Sequence, residues 1–217
     1  MTALTAVAVV VCGSSGTGKT TIGSQLAQSI GWRFVDADDY HPSSNVHKMA
    51  SGIPLDDNDR LPWLQRLRHE VIENIKPTST TTITTTGAAD NNNDNNTNNN
   101  STGKDEKEEG GGGVVIACSA LRRKYRDVLR GSESNNTKHN VTVFFVELVG
   151  DIAVVAQRLQ GRQHAYMPPT LLTSQYAILE PLQTEEELGM KVSVELEPQE
   201  MVHAVVVELR QRGLLQR

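Results

Sequence analysis

Apolar runs alternate along the chain with segments in which apolar residues recur at about every third or fourth position. The runs are typical of strands buried on both faces, and the recurring spacing is typical of helices with one buried face. The pattern predicts strands at 6–12, 33–36, 114–120, 141–149 and 190–196, and helices at 18–30, 61–75, 121–130, 152–159, 174–179 and 199–212. Because strands that alternate with helices favour a parallel sheet covered on both faces, the predicted fold class is α/β with three layers.

The segment at 77–113 shows neither pattern. It contains Thr repeats, an Asn-rich tract, a charged KDEKEE patch and a run of Gly. A segment with so few apolar residues cannot bury enough surface to offset the chain entropy lost on folding. We interpret it as a disordered insertion within a single domain that spans residues 1–217, because regular patterns resume directly after it.

The composition narrows the class of protein. The formal net charge of -5 argues against nucleic acid as a partner. Cys12 and Cys118 each follow an apolar run, as expected for buried thiols of a reducing compartment. The apolar N-terminus has no basic flank and runs directly into a glycine loop, which favours a strand over a signal peptide or a membrane span. We therefore expect a cytoplasmic protein without membrane contact, although import into an organelle by an unrecognised signal stays open.

The residues between the first predicted strand and the first predicted helix read GSSGTGKT and match the pattern G-x-x-x-x-G-K-[ST]. In such a loop, glycines let backbone N–H groups face phosphate oxygens, the lysine reaches the β- and γ-phosphates, and the last hydroxyl ligates Mg²⁺. The strand before it and the helix after it distinguish this loop from a chance glycine-rich turn. The predicted ATP-binding residues are Gly13, Ser14, Ser15, Gly16, Thr17, Gly18, Lys19, Thr20 and Thr21.

Two absences favour a small-molecule kinase over other proteins with this loop. A GTP-binding switch needs a guanine-reading N-K-x-D, and NTKHN at 136–140 has the wrong order. A motor or transport ATPase would end a later strand in Asp or Glu, whereas VVIACSA at 114–120 has neither. In small-molecule kinases, the groups that meet the substrate lie just after the second strand.

Asp36 and Asp38 alternate at the carboxyl end of the second predicted strand. A carboxylate there can accept the proton of an attacking hydroxyl or hold water on Mg²⁺. The alternative is a solvated strand end or a helix cap. We predict that Thr20 and Asp36 form the metal site.

Four stretches of the sequence resemble the gluconokinases, small P-loop kinases that phosphorylate D-gluconate with ATP. They are GSSGTGKT, DADDYHPSSNVHKMASGIPLDDNDRLPWL, CSALRRKYRD and MPPTLLTSQYAILEPL. Shikimate and adenylate kinases share the first stretch but not the second and third. The resemblance implies a P-loop kinase fold with a mobile lid, ATP and Mg²⁺ as cofactors, and 6-phospho-D-gluconate as the product. It is also compatible with a homodimer, since related kinases often form dimers.

Gluconate is an anionic polyol, so its pocket needs cations for the carboxylate and polar groups for the hydroxyls. The resemblance implies that Asp38 is the general base and that His41 and Arg60 line the substrate site. A packing role is the alternative for His41, and a salt bridge with Asp57 or Asp59 is the alternative for Arg60. The predicted substrate-binding residues are Asp38, His41, Lys48, Arg60, Ser119, Arg123, Arg126 and Gln175.

In the basic stretch RRKYRD, we prefer Arg123 and Arg126 to Arg122 and Lys124 as substrate ligands. We interpret Trp63 as a residue that fixes the start of the predicted helix at 61–75 rather than as part of the substrate site.

Residues 158–175 are predicted to form a lid over ATP. Arg158 and Arg162 lie one helical turn apart and would supply positive charge during phosphoryl transfer while the lid excludes water. The alternative is a basic helix end that complements its own dipole. The predicted catalytic set is Asp38, Lys19, Arg158 and Arg162. The lid departs from the family's R-x-G-H-F-M pattern, because Ala165 stands where the histidine is expected and His164 comes one place early.

Two alternative functions stay open. One is a kinase of another small hydroxy acid such as shikimate, although the stretch HPSSNVHKMASGIPLDD fits that substrate poorly. The other is a nucleotide-binding interaction protein with weak catalysis, which the altered lid would allow.

Overall fold

The computed structural model of the chain describes residues 6–75, 112–131, 141–160 and 169–215. Within these ranges, five strands form one sheet in which every neighbouring pair is parallel. The strands are β1 (Ala6–Cys12), β2 (Arg33–Asp36), β3 (Gly113–Ala117), β4 (Val141–Val149) and β5 (Gly189–Ser193). Their order is β2-β3-β1-β4-β5, which places β1 at the centre and confirms the predicted parallel sheet.

Helices cover both faces of the sheet. They are α1 (Lys19–Ile30), α2 (Ser43–Ala50), α3 (Asp57–Leu67), α4 (Arg123–Arg130), α5 (Ile152–Gln160), α6 (Pro169–Ile178) and α7 (Pro198–Gln211). One apolar cluster on the α3 and α4 side includes Leu64 and Leu129. A second cluster joins α1, α5 and α7 through Leu26, Val155 and Val205. The three layers predicted from the sequence are therefore confirmed.

Two predicted segments fall partly outside the described residues. Of the insertion predicted at 77–113, the structure describes only the end, and Gly113 already belongs to β3. Of the lid predicted at 158–175, residues 161–168 are not described. None of the helices in the described ranges has the length and apolar character needed to cross a membrane.

The carboxyl ends of β1, β2 and β3 meet at one edge of the sheet. In the parallel register, Ala117 of β3 lies opposite Val11 of β1 on one side and Asp36 of β2 on the other. All seven residues of β1 are buried, which explains why the strand reads as a continuous apolar run. The loops that follow these three strands are therefore brought together at this edge, where ligands bind in open α/β sheets.

The segment after β2 is more helical than the sequence pattern indicates. Residues Ala37–Tyr40 form a 3-10 turn, and α2 follows directly after Pro42. The pattern could not show α2 because its only buried residue is the polar Asn45, so the helix has no apolar stripe.

Helix α3 starts at Asp57, four positions before the predicted start at Leu61. The side chain of Asp56 accepts a hydrogen bond from the Asp59 backbone N–H, and the Asp59 side chain accepts one from the Asp56 backbone N–H. This reciprocal capping box satisfies two N–H groups that the helix start would otherwise leave without partners.

Candidate active site

The phosphate loop between β1 and α1 is held by its own hydrogen bonds. The backbone oxygen of Ser14 accepts from Lys19 Nζ at 2.9 Å and from Thr17 Oγ1 at 2.8 Å. The backbone N–H groups of Lys19 and Thr20 open α1 and have no acceptor within the described ranges. A helix start with such unpaired donors is a site for phosphate oxygens.

Gly16 is required in this loop for two reasons. Its φ of +85° lies in the left-handed region, which is unfavourable for residues with a Cβ atom. A Cβ at this position would also lie 2.6 Å from Leu159 Cγ and 3.0 Å from Val155 Cγ1. Helix α5 therefore packs directly against the phosphate loop.

We expect Gly16→Ala to weaken nucleotide binding. The backbone strain of about 1–3 kcal/mol and the contact with Leu159 would push the loop out of its conformation. The dissociation constant for ATP, measured by calorimetry, should rise about tenfold to a hundredfold. The matched control is Gly31→Ala, because Gly31 also has a positive φ of +70° but a Cβ there meets nothing within 4 Å. Equal ATP affinity in Gly16→Ala and the wild type would contradict this.

The predicted metal residues lie in direct contact. Thr20 Oγ1 donates to Asp36 Oδ2 at 2.8 Å, and Asp36 Oδ1 accepts from the backbone N–H of Asp38 at 3.1 Å. A hydroxyl and a carboxylate are oxygen ligands that suit Mg²⁺, which kinases hold with one or two protein groups together with phosphates and water. No cluster of three or more metal-ligating side chains occurs in the described part of the chain, so phosphate oxygens would have to complete the site.

Asp38 presents an accessible carboxylate beside this pair. Its side chain is 80% exposed, and its Oδ1 lies 3.9 Å from His41 Nε2. Partial desolvation and then the negative charge of Asp36 raise the pKa of Asp38, while the charge of Lys19 opposes the shift. The exposed carboxylate is therefore accessible to a ligand.

His41 is buried and neutral next to Asp38. Its side chain is 4% exposed, and burial together with the charge of Arg60 lowers its pKa to about 4. Asn45 Nδ2 lies 3.3 Å from His41 Nδ1. Since the Nδ2 atom of Asn45 can only donate, Nδ1 is the acceptor and the proton of the neutral ring is assigned to Nε2. The ring therefore presents an N–H group to the side of Asp38.

Trp63 and Asn45 hold the His41 ring in place, a role that no local sequence pattern indicates. The rings of Trp63 and His41 are stacked with centroids 3.9 Å apart, and Trp63 Nε1 donates to the Ala37 backbone oxygen at 2.9 Å. Asn45 Nδ2 also donates to the Asp59 backbone oxygen at 3.0 Å. The interpretation that Trp63 fixes the helix start was wrong, because it lies well inside α3 and supports the site.

Arg60 is the cation best placed for an anionic ligand. It is 7% exposed, and only its Nε has an acceptor in the described ranges, the Leu55 backbone oxygen at 3.2 Å. Burial lowers the pKa of Arg60, whose guanidinium lies 5.8 Å from the Tyr125 ring centre. By contrast, Lys48 is held by Asp59, with Nζ 2.6 Å and 2.8 Å from the two carboxylate oxygens. The alternative of an Arg60 salt bridge with Asp59 is thus wrong.

Asp57 is not the partner of Arg60 either. Its carboxylate accepts from Lys124 Nζ and Tyr125 Oη at 2.5 Å each, and from Arg122 Nη1 at 3.3 Å. The Nε atom of Arg122 is buried and has no hydrogen-bond partner among the described residues. Asp57 therefore neutralises the basic start of α4, while the terminal nitrogens of Arg60 remain available for a ligand.

The prediction that Arg126 binds the substrate was wrong. Its Nε and Nη2 donate to the two carboxylate oxygens of Glu187 at 2.8 Å each, and its Nη1 donates to the backbone oxygens of Ala120 and Glu180. The side chain is 2% exposed. The charge pattern of RRKYRD could not show a partner that lies far along the chain.

Arg123 and Ser119 are both predicted to bind the substrate, but they lie in different surroundings. Arg123 pairs with Glu186 at the surface, and its backbone N–H donates to the Glu180 carboxylate, so it is directed to the loop before β5. Ser119 lies beside the phosphate loop, since its backbone oxygen accepts from the Gly13 N–H at 3.2 Å. Of this pair, only Ser119 lies where a ligand of the loop could reach it.

The residues predicted for the lid region have other partners. Arg158 Nη2 donates to the Val194 backbone oxygen at 2.5 Å. Gln175, predicted to bind the substrate, instead contacts Ser15 of the phosphate loop. Arg162, His164 and Ala165 lie outside the described residues.

The parallel sheet, the phosphate loop after β1 and the carboxylate pair after β2 together define a P-loop kinase. Comparison with known proteins agrees, because a family profile described as shikimate kinase matches residues 15–104. A probable gluconokinase of Mus musculus is 34% identical over 212 residues, which cover 93% of this chain and 97% of the relative. The chain belongs to the gluconokinase family.

Two further proteins are similar to this chain. The thermosensitive gluconokinase of Escherichia coli is 34% identical over 185 residues, which cover 85% of this chain and 78% of that protein. The crystal structure of a gluconokinase from Sinorhizobium meliloti superposes with a TM-score of 0.67 at 30% identity, over 94% of this chain and 91% of that one.

Proposed function

We propose that this protein transfers the γ-phosphoryl group of ATP to the 6-hydroxyl of D-gluconate and produces 6-phospho-D-gluconate and ADP. The observation that carries the proposal is the hydrogen bond between Thr20 and Asp36, which fixes the carboxylate pair of β2 against the end of the phosphate loop. Membership in the gluconokinase family supplies the substrate. The two alternatives, a shikimate kinase and a weakly catalytic binding protein, have no comparable support.

The phosphate loop and Lys19 bind the phosphates. Burial lowers the pKa of Lys19, while the nearby charges of Asp38 and Asp36 oppose that shift. Lys19 would exchange its hydrogen bond to the Ser14 oxygen for the β- and γ-phosphates. Thr20 and Asp36 would hold Mg²⁺, which, when bound, neutralises the charge that develops on the phosphates.

Asp38 acts as the general base. Its exposed carboxylate can approach the 6-hydroxyl and take its proton as the new O–P bond forms. The neutral His41 ring, held between Trp63 and Asn45, places its Nε2–H on the side of Asp38 and orients the carboxylate or a substrate hydroxyl.

The acid end of gluconate binds at Arg60. The two terminal nitrogens of this buried guanidinium match the two oxygens of a carboxylate. Ser119, next to the phosphate loop, is the proposed partner for substrate hydroxyls.

We also propose a cytoplasmic location, because Cys12 and Cys118 are buried thiols without a disulfide, as in proteins of reducing compartments.

The test is a coupled assay of ADP release with Mg-ATP and a set of acceptors. D-Gluconate should support turnover, whereas shikimate and the blank without acceptor should not. Turnover with shikimate alone would favour the second kinase hypothesis. ATP binding without gluconate-dependent ADP release would overturn the proposal and favour a nucleotide-binding interaction protein.

A further inference from the structure

Helix α6 contacts the phosphate loop through the side chain of Gln175. Gln175 Oε1 accepts a hydrogen bond from the Ser15 backbone N–H at 2.7 Å, and Gln175 Nε2 lies 3.0 Å from Ser15 Oγ. Gln175 is only 6% exposed, so its side chain is buried beside the loop. The two contacts involve both the backbone and the side chain of Ser15, and they fix the orientation of its peptide plane.

The helix that carries Gln175 is itself anchored. Leu172 belongs to the apolar cluster that also contains Val11 at the end of β1. Tyr176 Oη donates to the Gly150 backbone oxygen at 3.0 Å, directly after β4. The contacts of Leu172 and Tyr176, one before and one after Gln175 in the chain, therefore hold α6 in place relative to the sheet.

The phosphate loop is confined between two helices at this point. Ser15 is held by Gln175 of α6, and Gly16 packs against Leu159 of α5. The Ser15 N–H is directed to Gln175 and cannot donate to a phosphate in the same geometry. The N–H groups that remain for phosphate are those of Gly16, Gly18, Lys19 and Thr20, which have no acceptor in the described ranges, whereas the Thr17 N–H lies 3.5 Å from the Ser14 oxygen.

We propose that Gln175 is a positioning residue for the nucleotide site rather than a ligand of the sugar acid. It turns the Ser15 peptide so that the following N–H groups face the phosphates. The proposal rests on the nucleotide use that belongs to the proposed function, and it assigns to Gln175 an effect on ATP and not on gluconate.

The test compares Gln175→Ala and Gln175→Glu with the wild type. Alanine removes both hydrogen bonds, so the dissociation constant of a fluorescent ATP analogue and the KM for ATP should rise about tenfold. The KM for D-gluconate should not change. Glutamate keeps the length of the side chain and can accept from both groups of Ser15, but it adds a negative charge beside the phosphates. Its loss of ATP affinity should therefore be at least as large, and should become smaller as salt is added.

The matched control is Ser174→Ala, which removes a hydrogen bond to the Leu171 backbone oxygen on the same helix. It should leave the affinity for ATP unchanged. Two results would overturn the proposal: a raised KM for gluconate with normal ATP affinity in Gln175→Ala, or the same loss of ATP affinity in Ser174→Ala. The ATP analogue is titrated without acceptor. Its dissociation constant can therefore be compared between the variants even if the wild type fails to phosphorylate gluconate.

Discussion

Asp38→Asn is expected to lower kcat about 10²–10⁴-fold, because asparagine has nearly the same shape but cannot accept the proton of the 6-hydroxyl. The KM for ATP should change much less, since Asp38 makes no hydrogen bond to the phosphate loop in the described ranges and its neighbour Asp36 keeps the hydrogen bond to Thr20. The coupled ADP assay at saturating ATP and gluconate measures this directly.

The matched control for this substitution is Asp39→Asn. Asp39 is the next residue of the same 3-10 turn, and its negative charge also acts on Asp38. If only the local charge mattered, the two variants would lose similar activity. We expect Asp39→Asn to keep most of the wild-type kcat. A fully active Asp38→Asn variant would exclude Asp38 as the base.

Arg126→Met is expected to destabilise the protein by about 3–5 kcal/mol, which is typical when one partner of a buried ion pair is removed. The Glu187 carboxylate is fully buried and would retain only its contact with Arg130 Nη2 at 2.9 Å and the hydrogen bond from the Gln183 backbone N–H at 3.3 Å. Two backbone oxygens, those of Ala120 and Glu180, would lose their donor as well. Chemical denaturation monitored by circular dichroism gives the change in unfolding free energy.

Arg123→Met serves as the control, because this neighbouring arginine forms an exposed pair with Glu186. It should unfold like the wild type. A stable Arg126→Met variant with a raised KM for gluconate would instead restore the substrate-binding role predicted from the sequence. If Arg126→Met does not fold, wild-type acid unfolding provides a second measurement of the pair.

The acid unfolding of the wild type depends on the pKa of Glu187. Burial alone would raise it, but the hydrogen bonds from Arg126 and the Gln183 backbone lower it from 4.5 to about 2. The folded state therefore binds fewer protons than the unfolded state between these values. The contribution of this carboxylate to stability is complete above about pH 4.5 and is lost as the pH falls through about 2.

The sheet and the phosphate loop could be predicted from the sequence because their signals are local. A strand buried on both faces, such as β1, must read as an apolar run, and the loop that follows needs glycine and lysine at fixed spacing. The same holds for Thr20 and Asp36, whose positions relative to β1 and β2 follow from the order of elements in a parallel sheet.

The partners of the charged side chains could not be predicted in this way. Arg126 looks like Arg123 in the sequence, and only the fold brings Glu187 against one and Glu186 against the other. In the same way, a tryptophan inside α3 gives no sign that it stacks on His41. These contacts join residues that are distant along the chain, so no local pattern contains them.

The most direct measurement is the identity of the product, read by phosphorus NMR after incubation of the purified protein with Mg-ATP and D-gluconate. The geometry of the site and the family of the chain lead us to expect 6-phospho-D-gluconate and ADP in equal amounts. Unchanged gluconate, or ADP released together with inorganic phosphate, would contradict the assignment of this cleft to phosphoryl transfer onto the sugar acid.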